Sequence, residues 1–428
     1  MNIAFVGCGF VFDIYMRTIR AHSELVVKGF YDIRAERMQR VSAHYGFATY
    51  VSLESLLADP SVQVVVNLTP IGAHFTVSKA ALSAGKHVYS EKPLTKSLAE
   101  TQDLFELAKS KGVRFGGAPS NIYSDTVRTL FEAVRQEAIG KPLLVYAELD
   151  DNPIHLMDFE SVKSPTGAPW PIEEEIHEGC TFEHVGYHLV WICALLGPAI
   201  SVTAFSSELI DTKTPSLPGK VGTPDYSVAC LQFANNATAR ITCSVVAPRD
   251  HRMRIIGTAG ELSAEGYRHY RSPVMLERFR KGNLTARKFR TLANLRWLGR
   301  LFGIGGRRLT LLRNAKSQAV EKDNLIRSSV KQRLTEWLRR REVYAQDKLI
   351  GVTEFGREIE GHLAPFLTPD FLMHINELTL LIQGAGPEGL ATRPVTGFAP
   401  LGEIPGTLGR DIGLARALRK GPLEGLLG

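Results

Sequence analysis

Short apolar runs alternate with helical patterns along the first part of the chain. The runs are Ile3–Val6, Leu25–Tyr31, Val62–Leu68, His87–Tyr89 and Val113–Phe115, and the helical stretches are Ala35–Tyr45, His74–Ala84 and Leu98–Lys111. Single strands that alternate with helices are typical of a doubly wound parallel sheet with helices on both faces. We therefore predict an α/β domain over residues 1–120.

The pattern changes after residue 120, where β-type runs follow one another with few helices between them. These runs are Leu143–Leu149, Ile200–Ser206, Ser227–Phe233, Ala239–Val246 and Arg252–Ile256, and the pair Asn235-Asn236 between two of them predicts a hairpin turn. Such a succession of strands indicates a second domain of α+β class, built on a large, mostly antiparallel open sheet. We assign it residues 121–265 and 346–400, and a C-terminal tail residues 401–428.

The segment 266–345 has a different composition from the rest of the chain. Its part from Gly266 to Glu342 holds 21 Lys/Arg against 5 Asp/Glu, a net charge of +16, so the remainder carries −9 of the total +7. Apolar residues recur at helical spacing in Leu284–Phe302 and Lys331–Glu342. We predict an insertion of basic amphipathic helices. It is either a solvated insertion that covers a dimer contact, or a site for an anionic membrane surface, a lipid-linked glycan or a nucleotide-sugar diphosphate. Nucleic acid is the least favoured partner because the basic charge is confined to one segment.

Composition otherwise describes an ordinary soluble protein of 428 residues, with 44% apolar and 22% charged residues. No run reaches the ~18 apolar residues of a membrane span. The five cysteines form no C-x-x-C pair, which favours free thiols in a reducing compartment. We expect a cytoplasmic protein, and a peripheral position at the inner membrane face is the alternative that the basic segment suggests.

Candidate chemistry begins directly after the first strand, at Gly7-Cys8-Gly9-Phe10-Val11-Phe12. Gly7 permits a tight turn, and Gly9 permits close approach of a pyrophosphate to the start of a helix. Phe12 stands where a third glycine or alanine is usual. Phe10 and Val11 are further candidate cofactor contacts, and an ordinary strand–turn–helix is the alternative.

An acidic residue follows the second strand. Asp32 could accept hydrogen bonds from an adenosine ribose and repel a 2′-phosphate, which favours NAD over NADP. Arg34 and Arg37 lie close behind it and weaken this preference, so that NADP stays open and Arg37 becomes a candidate cofactor contact. A solvated carboxylate at a strand end is the alternative reading of Asp32.

Two further turns follow the third and fourth strands. The first is Thr69-Pro70 with His74 four residues later, at the sheet edge where open parallel sheets bind ligands; His74 is equally compatible with a helix start that has no ligand role. The second is Glu91-Lys92-Pro93. Lys92 beside a nicotinamide could exchange a proton with a substrate oxygen, and we expect burial and nearby positive charge to lower its pKa toward that task.

These motifs together resemble the Gfo/Idh/MocA family, named after glucose–fructose oxidoreductase and inositol dehydrogenase. The run Ala84–Thr95, which contains Glu91-Lys92-Pro93, is its most specific element, and Ile255–Leu262 supports it. The resemblance covers residues 1–265 and resumes near 350–400. It implies a Rossmann domain, NAD or NADP as cofactor, hydride transfer at sugar, inositol or nucleotide-sugar hydroxyls, and homo-oligomers that pair through the open sheet.

The resemblance also implies roles for residues in the second half of the site. Lys92 matches the lysine that polarises the reacting group, and His188 matches the histidine that acts as general acid–base. His184 stands where an aspartate is common, so substrate binding there could differ. The segment Gly116–Tyr123 resembles a loop of one subgroup of the family, and Asn121 and Tyr123 on it are candidate substrate contacts. A zinc site at His184 and His188, or two structural histidines, are the alternatives.

The sequence thus predicts an NAD(P)-dependent dehydrogenase or reductase acting on CH–OH groups, with a carbohydrate substrate and no metal. The alternative is a non-catalytic NAD(P)-binding sensor or scaffold that works through the basic insertion. The sequence leaves open the substrate, the reaction direction and the oligomer number.

Overall fold

The structure is a computed structural model that describes residues 1–159, 161–314, 316, 319–320 and 345–406. Its first layer is β1 (Asn2–Val6), α1 (Phe10–Met16), β2 (Val26–Tyr31), α2 (Ala35–Tyr45), α3 (Leu53–Ala58), β3 (Val64–Asn67), α4 (His74–Ser83), β4 (His87–Ser90), α5 (Leu98–Ser110), β5 (Phe115–Gly117) and α6 (Asp125–Arg135). The five strands form a parallel sheet in the order β2-β1-β3-β4-β5. The predicted doubly wound parallel sheet is confirmed.

Register brings the carboxyl ends of four strands to one level of this sheet. Val6 pairs with Asn67, Asn67 with Ser90, and Ser90 with Gly117. The residues that follow these ends therefore lie along one edge, which is where open parallel sheets bind their ligands.

The second layer contains β6 (Pro142–Asp150), α7 (Ile172–Glu178), α8 (Cys180–His184), α9 (Gly186–Leu196), β7 (Ala199–Ser207), β8 (Tyr226–Phe233), β9 (Thr238–Ser244), β10 (Met253–Gly257), β11 (Gly260–Ala264), β12 (Val274–Arg278), α10 (Lys281–Ala286), α11 (Arg290–Asn294), α12 (Arg296–Leu301), β13 (Arg307–Arg308), α13 (Leu349–Ile359), α14 (Pro369–Gln383) and β14 (Leu390–Thr392). Nine strands form a sheet in the order β13-β12-β11-β10-β6-β9-β8-β7-β14. Every pairing is antiparallel except that of β6 with β9. The predicted mostly antiparallel second sheet is confirmed.

Packing joins the two sheets through elements from the C-terminal part of the chain. Helix α14 contacts α5 of the first layer and α9 of the second. Helix α13 packs on the first sheet, where a Cβ atom at Gly116 would lie 2.7 Å from the ring of Phe355. The carboxyl edge of the first sheet thus faces the helices of the second layer, and the candidate site lies between them.

The basic segment differs from the prediction in two ways. Its residues Val274–Arg278 and Arg307–Arg308 form strands β12 and β13 at one edge of the large sheet. The stretch Leu284–Phe302, predicted to be helical, is divided among three short helices with breaks before Arg290 and at Leu295. Six of its large apolar side chains are exposed and so contribute little of the tertiary packing that would stabilise one long helix: Leu284, Phe289, Leu295, Trp297, Leu301 and Phe302. The predicted helix Lys331–Glu342 lies outside the described residues.

Candidate active site

The first turn of the chain depends on glycine at one position and leaves space at another. Gly7 has φ +92°, and a Cβ atom there would lie 2.7 Å from the carbonyl oxygen of Leu68. Gly9 precedes α1, and a Cβ atom there would meet nothing within 4 Å. The turn is therefore packed on the side of β3 and open above the first turn of α1.

The three residues after Gly9 have separate roles in packing. Phe10 lies edge-on to Trp170, with ring centroids 4.8 Å apart, and Val11 is partly buried against the core of the first sheet. Phe12 is fully buried and packs edge-on to Phe5 at 5.3 Å. The position where a small residue is usual thus fills the space between α1 and the sheet with an aromatic ring.

Asp32 lies at the predicted place and is hydrogen-bonded to the glycine turn. Its Oδ2 atom accepts from the backbone N–H of Cys8 at 2.7 Å, and its Oδ1 atom accepts from the backbone N–H of Arg34 at 2.9 Å. The Arg34 side chain is 61% exposed. Arg37, by contrast, is buried and donates to the carbonyl oxygens of Cys8 and Thr166. Arg34 is therefore the cation available beside Asp32, and Arg37 closes the segment around Thr166 onto the turn.

His74 holds together the turns that follow β3 and β4. Its Nδ1 atom lies 2.7 Å from the Pro93 carbonyl oxygen, and Nε2 lies 2.9 Å from that of Thr69. Thr69 also donates from Oγ1 to Asn67 at 2.7 Å, and Pro70 redirects the chain into a short 3₁₀ turn. Burial lowers the pKa of His74, while its contacts with the two carbonyl oxygens raise it; the ring lies between the two turns and holds them together.

Lys92 forms an ion pair with a residue that the sequence analysis did not select. Its Nζ atom lies 2.8 Å from Oε2 of Glu183 and donates to the Glu183 carbonyl oxygen at 2.6 Å. The ammonium also lies 5.5 Å from the ring centroid of Tyr187. Burial lowers the pKa of Lys92, but the charge and hydrogen bond of Glu183, together with the electrostatic effects of Tyr187 and Glu91, outweigh burial and raise the pKa above its ordinary value. The expected lowering of this pKa is wrong, because the prediction omitted the carboxylate.

Glu91 faces a second lysine that the sequence did not reveal. Its Oε1 atom accepts hydrogen bonds from Nζ of Lys348 at 2.7 Å and from the hydroxyl of Tyr15 at 2.9 Å. Burial raises the pKa of Glu91, yet the charges of Lys348 and Lys92 lower it to about 2. The carboxylate is therefore ionised and links the two halves of the chain.

His188 is enclosed by its own helix and by the large sheet. Its Nδ1 atom accepts from the indole N–H of Trp191 at 3.0 Å, so Nε2 carries the proton and donates to the Glu148 carbonyl oxygen at 2.9 Å. The ring is fully buried, and this burial lowers its pKa to about 3. The rings of Tyr267 and Tyr187, 5.1 Å apart, connect it to the Lys92 ammonium. The structure does not bring His188 into contact with Lys92.

His184 belongs to a buried charged cluster beside Tyr187. Its Nε2 atom lies 3.5 Å from Asp151, whose carboxylate accepts from Arg268 at 2.7 Å. Burial and the Arg268 charge lower the pKa of His184 well below its ordinary value, and its Nδ1 atom has no partner among the described residues. Among all the residues that the structure describes, no three or more histidine, cysteine, aspartate or glutamate side chains are grouped so that they could hold a metal ion.

The two predicted loop residues point to different places. Asn121 donates to the carbonyl oxygen of Tyr187 at 2.8 Å and so lies beside the Lys92 region. Its Oδ1 atom is buried without a partner in the described part of the chain. Tyr123 instead packs against Phe366 at 6.0 Å and lines a small cavity with Tyr270 and Asp347. Only Asn121 joins the candidate active site.

The sequence reasoning therefore missed Glu183, Lys348, Asp151 and Arg268. Glu183 directly precedes His184, so its position in the chosen motif could have revealed it. Lys348 lies 257 positions from Glu91 and follows the basic segment, and no local pattern distinguishes it there.

The glycine turn fits a dinucleotide. The open space at Gly9 and the carboxylate of Asp32 occupy the places where a Rossmann fold receives the pyrophosphate and the ribose. Phe12, at the third position of the motif, is buried in the core, and a Cβ atom at Gly9 would meet nothing within 4 Å.

Comparison with known proteins agrees with this geometry. Residues 1–117 match the oxidoreductase family model with an NAD-binding Rossmann fold, and residues 127–263 match the GFO/IDH/MocA C-terminal domain. The chain is 25% identical over 273 residues to myo-inositol 2-dehydrogenase of Thermotoga maritima, covering 63% of this chain and 76% of that protein. It is 26% identical over 231 residues to scyllo-inositol 2-dehydrogenase (NAD(+)) of Bacillus subtilis, covering 51% and 60%.

Solved structures share the whole fold. The WlbA dehydrogenase from Bordetella pertussis, solved in complex with NADH and UDP-GlcNAcA, has a TM-score of 0.64 at 16% identity and covers 92% of this chain and 97% of its own. UDP-N-acetylglucosamine 3-dehydrogenase GnnA from Acidithiobacillus ferrooxidans has a TM-score of 0.60 at 17% identity, with 91% and 98% covered. Both halves of the chain match the models of one family, and this protein is an NAD-binding member of the GFO/IDH/MocA oxidoreductases.

Proposed function

We propose that this protein transfers hydride between a nicotinamide and the hydroxyl-bearing or ketone carbon of a sugar, an inositol or a nucleotide-sugar. The observation behind the proposal is the Lys92–Glu183 ion pair at the carboxyl edge of the Rossmann sheet. The inositol dehydrogenases named above and the neighbour solved with NADH and UDP-GlcNAcA support this class of substrate.

The cofactor would lie along the edge that the strand register defines. The space above Gly9 would take the pyrophosphate, and Asp32 would turn from the Cys8 N–H toward the ribose hydroxyls. NAD is the preferred cofactor because Asp32 repels a 2′-phosphate, whereas Arg34 permits some use of NADP. When bound, the nicotinamide accepts or supplies the hydride.

Lys92 and Glu183 would handle the proton that accompanies the hydride. In oxidation, Lys92 would first give a proton to the Glu183 carboxylate, and the resulting neutral amine would take the proton of the substrate O–H as the hydride leaves the carbon for the nicotinamide; Glu183 then releases its proton to solvent. In reduction, the Lys92 ammonium would give a proton to the ketone oxygen as the hydride arrives, and the amine would be reprotonated from solvent through Glu183. The ammonium also stabilises the negative charge that develops on the substrate oxygen.

His188 remains the second predicted acid–base group. Its use would require the ring to break its hydrogen bonds to Trp191 and Glu148 and to turn past Tyr267. Lys92 therefore comes first in the proposed route, with His184 and Asn121 as candidate substrate contacts beside Tyr187.

A cofactor and substrate screen tests the proposal. Reduction of NAD and NADP is followed by absorbance with a panel of inositols, sugars and nucleotide-sugars. Lys92→Ala should keep cofactor binding and lose at least ~100-fold in turnover, the scale of one acid–base group. Cofactor binding without hydride transfer to any member of the panel would instead support a non-catalytic sensor or scaffold.

We also propose that two copies pair through the exposed face of the large sheet. On that face the guanidinium groups of Arg240 and Arg254 lie 4.6 Å and 5.6 Å from the ring centroid of Tyr146. Sedimentation equilibrium should give twice the monomer mass, and Tyr146→Glu should reduce it. A wild-type monomer at all concentrations would contradict this pairing.

A further inference from the structure

The segment 281–308, which ends in strand β13 at the edge of the large sheet, carries exposed apolar side chains, several Lys and Arg residues and no Asp or Glu. We name it the 281–308 patch. Six large apolar side chains on it are exposed: Leu284, Phe289, Leu295, Trp297, Leu301 and Phe302. Trp297 is 65% exposed and Leu301 is 67% exposed. Several exposed apolar side chains in one short segment mark an interaction surface rather than ordinary surface variation.

The charge of this segment has one sign over a long stretch. Residues 278–320 contain 12 Lys/Arg and no Asp or Glu. Lys281, Arg287, Lys288, Arg290 and Arg308 are exposed. The nearest acidic residue, Glu277, accepts hydrogen bonds from Arg287 and from the backbone N–H of Gly305. Glu277 thus fastens the base of the patch to β12, while Lys281, Lys288, Arg290 and Arg308 remain exposed.

We propose that the 281–308 patch binds the surface of an anionic lipid bilayer. Leucine, phenylalanine and tryptophan side chains insert at the boundary of head groups and acyl chains, while lysine and arginine attract anionic head groups. A second copy of this chain is disfavoured as the occupant, because two such patches would bring like charges together. A nucleic acid would use the cations but leave the aliphatic side chains Leu284, Leu295 and Leu301 without a matching surface.

The 281–308 patch contains none of the candidate active-site residues, so the proposal goes beyond the proposed function and does not depend on it. None of the helices among the described residues could span a bilayer. The three helices of the patch are 6, 5 and 6 residues long, and in the proposal they lie along the interface with their apolar side chains inserted. An enzyme held there would meet substrates that carry a lipid anchor or are produced at that surface.

Sedimentation with vesicles tests the proposal on the full chain. One set of vesicles is phosphatidylcholine, and the other is an equal mixture of phosphatidylcholine and phosphatidylglycerol. The wild-type protein should pellet with the anionic vesicles only, and added salt should release it. Lys288→Gln with Arg290→Gln should lower the partition coefficient at least about tenfold, since each cation near the surface contributes on the order of 1 kcal/mol.

Apolar variants separate insertion from simple charge attraction. Trp297→Glu with Leu301→Glu should also lose at least about tenfold in partitioning. The matched control is Val51→Glu, at a 90% exposed apolar position outside the patch, and it should partition as the wild type does. Unchanged thermal unfolding and NAD binding would establish that each variant is folded.

Three results would overturn the proposal. The first is equal recovery of the wild type with both kinds of vesicle. The second is unchanged partitioning of the Trp297→Glu, Leu301→Glu variant. The third is a dimer in solution that this variant dissociates, which would assign the patch to a second copy of the chain.

Discussion

The ammonium of Lys348 lies 2.7 Å from the Glu91 carboxylate and 3.4 Å from the hydroxyl of Tyr187. Both charged side chains are buried. The pair joins the turn Glu91-Lys92-Pro93 of the Rossmann domain to the start of helix α13, which follows the basic segment. It also places a cation and an anion near Lys92. The pKa of Lys92 therefore depends on its neighbour Glu91, on Glu183 and on Lys348, which come from three separate parts of the sequence.

Loss of this buried pair should cost much more than loss of a surface pair. Lys348→Met removes the cation that is hydrogen-bonded to the buried Glu91 carboxylate and leaves only the charge of Lys92 nearby, so it should lower the free energy of unfolding by about 3–5 kcal/mol. Adding Glu91→Gln should restore part of the loss. The control is Lys79→Met, which breaks the half-exposed Lys79–Asp103 pair and should cost less than about 1 kcal/mol. Denaturant unfolding gives the free energy of unfolding of each variant. Equal losses in Lys348→Met and Lys79→Met would contradict a stabilising role for the buried pair.

The two glycines of the first turn should respond differently to the same substitution. Gly7→Ala forces a Cβ atom onto the backbone of Leu68 at positive φ, and should destabilise the protein by about 2 kcal/mol or more. Gly9→Ala meets no atom within 4 Å and should leave stability almost unchanged, while NAD affinity falls because the methyl group occupies the open space. Thermal unfolding and cofactor titration distinguish the two effects. Unchanged NAD affinity in Gly9→Ala would place the pyrophosphate elsewhere.

His188 should make the fold sensitive to acid. Its pKa is lowered in the folded state by burial, so the unfolded chain takes up a proton first as the pH falls below about 6.5. The stabilisation is complete above that pH and is lost progressively below it, by about 2 kcal/mol between pH 7 and pH 5.

His188→Gln can keep both hydrogen bonds and should remove this part of the pH dependence. The exposed His44 serves as the control, and His44→Gln should retain the wild-type slope. Unfolding free energies at several pH values provide the measurement. Identical slopes for wild type and His188→Gln would mean that the ring is accessible and titrates normally.

Local patterns in the sequence were sufficient for the architecture and for the glycine turn. Gly7 and Asp32 each follow a strand directly, Lys92 comes two residues after β4, and parallel register brings these strand ends together. The apolar alternation of the second half likewise predicted its sheet. Neither inference required knowledge of a distant contact.

The charge state of the site could not be predicted in the same way. Lys92 carries a proton because Glu183 lies 2.8 Å away, and Glu183 comes from a different layer of the fold. His188 stands where the motif predicts a catalytic residue. Its Nδ1 atom, however, accepts a hydrogen bond from the indole N–H of Trp191, one helical turn later. Side-chain partners across layers decide these outcomes, and they leave no periodic pattern.

In the proposed reaction, Lys92 and Glu183 together move the proton. The single-turnover rate of hydride transfer in Glu183→Gln, with the best substrate of the panel and saturating cofactor, tests this pairing. The rate should fall at least ~100-fold with NAD affinity nearly unchanged, since the amide accepts no proton. Glu178→Gln, which alters the nearby Lys96–Glu178 pair, should stay within about twofold of wild type. A Glu183→Gln enzyme as fast as the wild type, together with a His188→Gln enzyme that is inactive, would contradict the account.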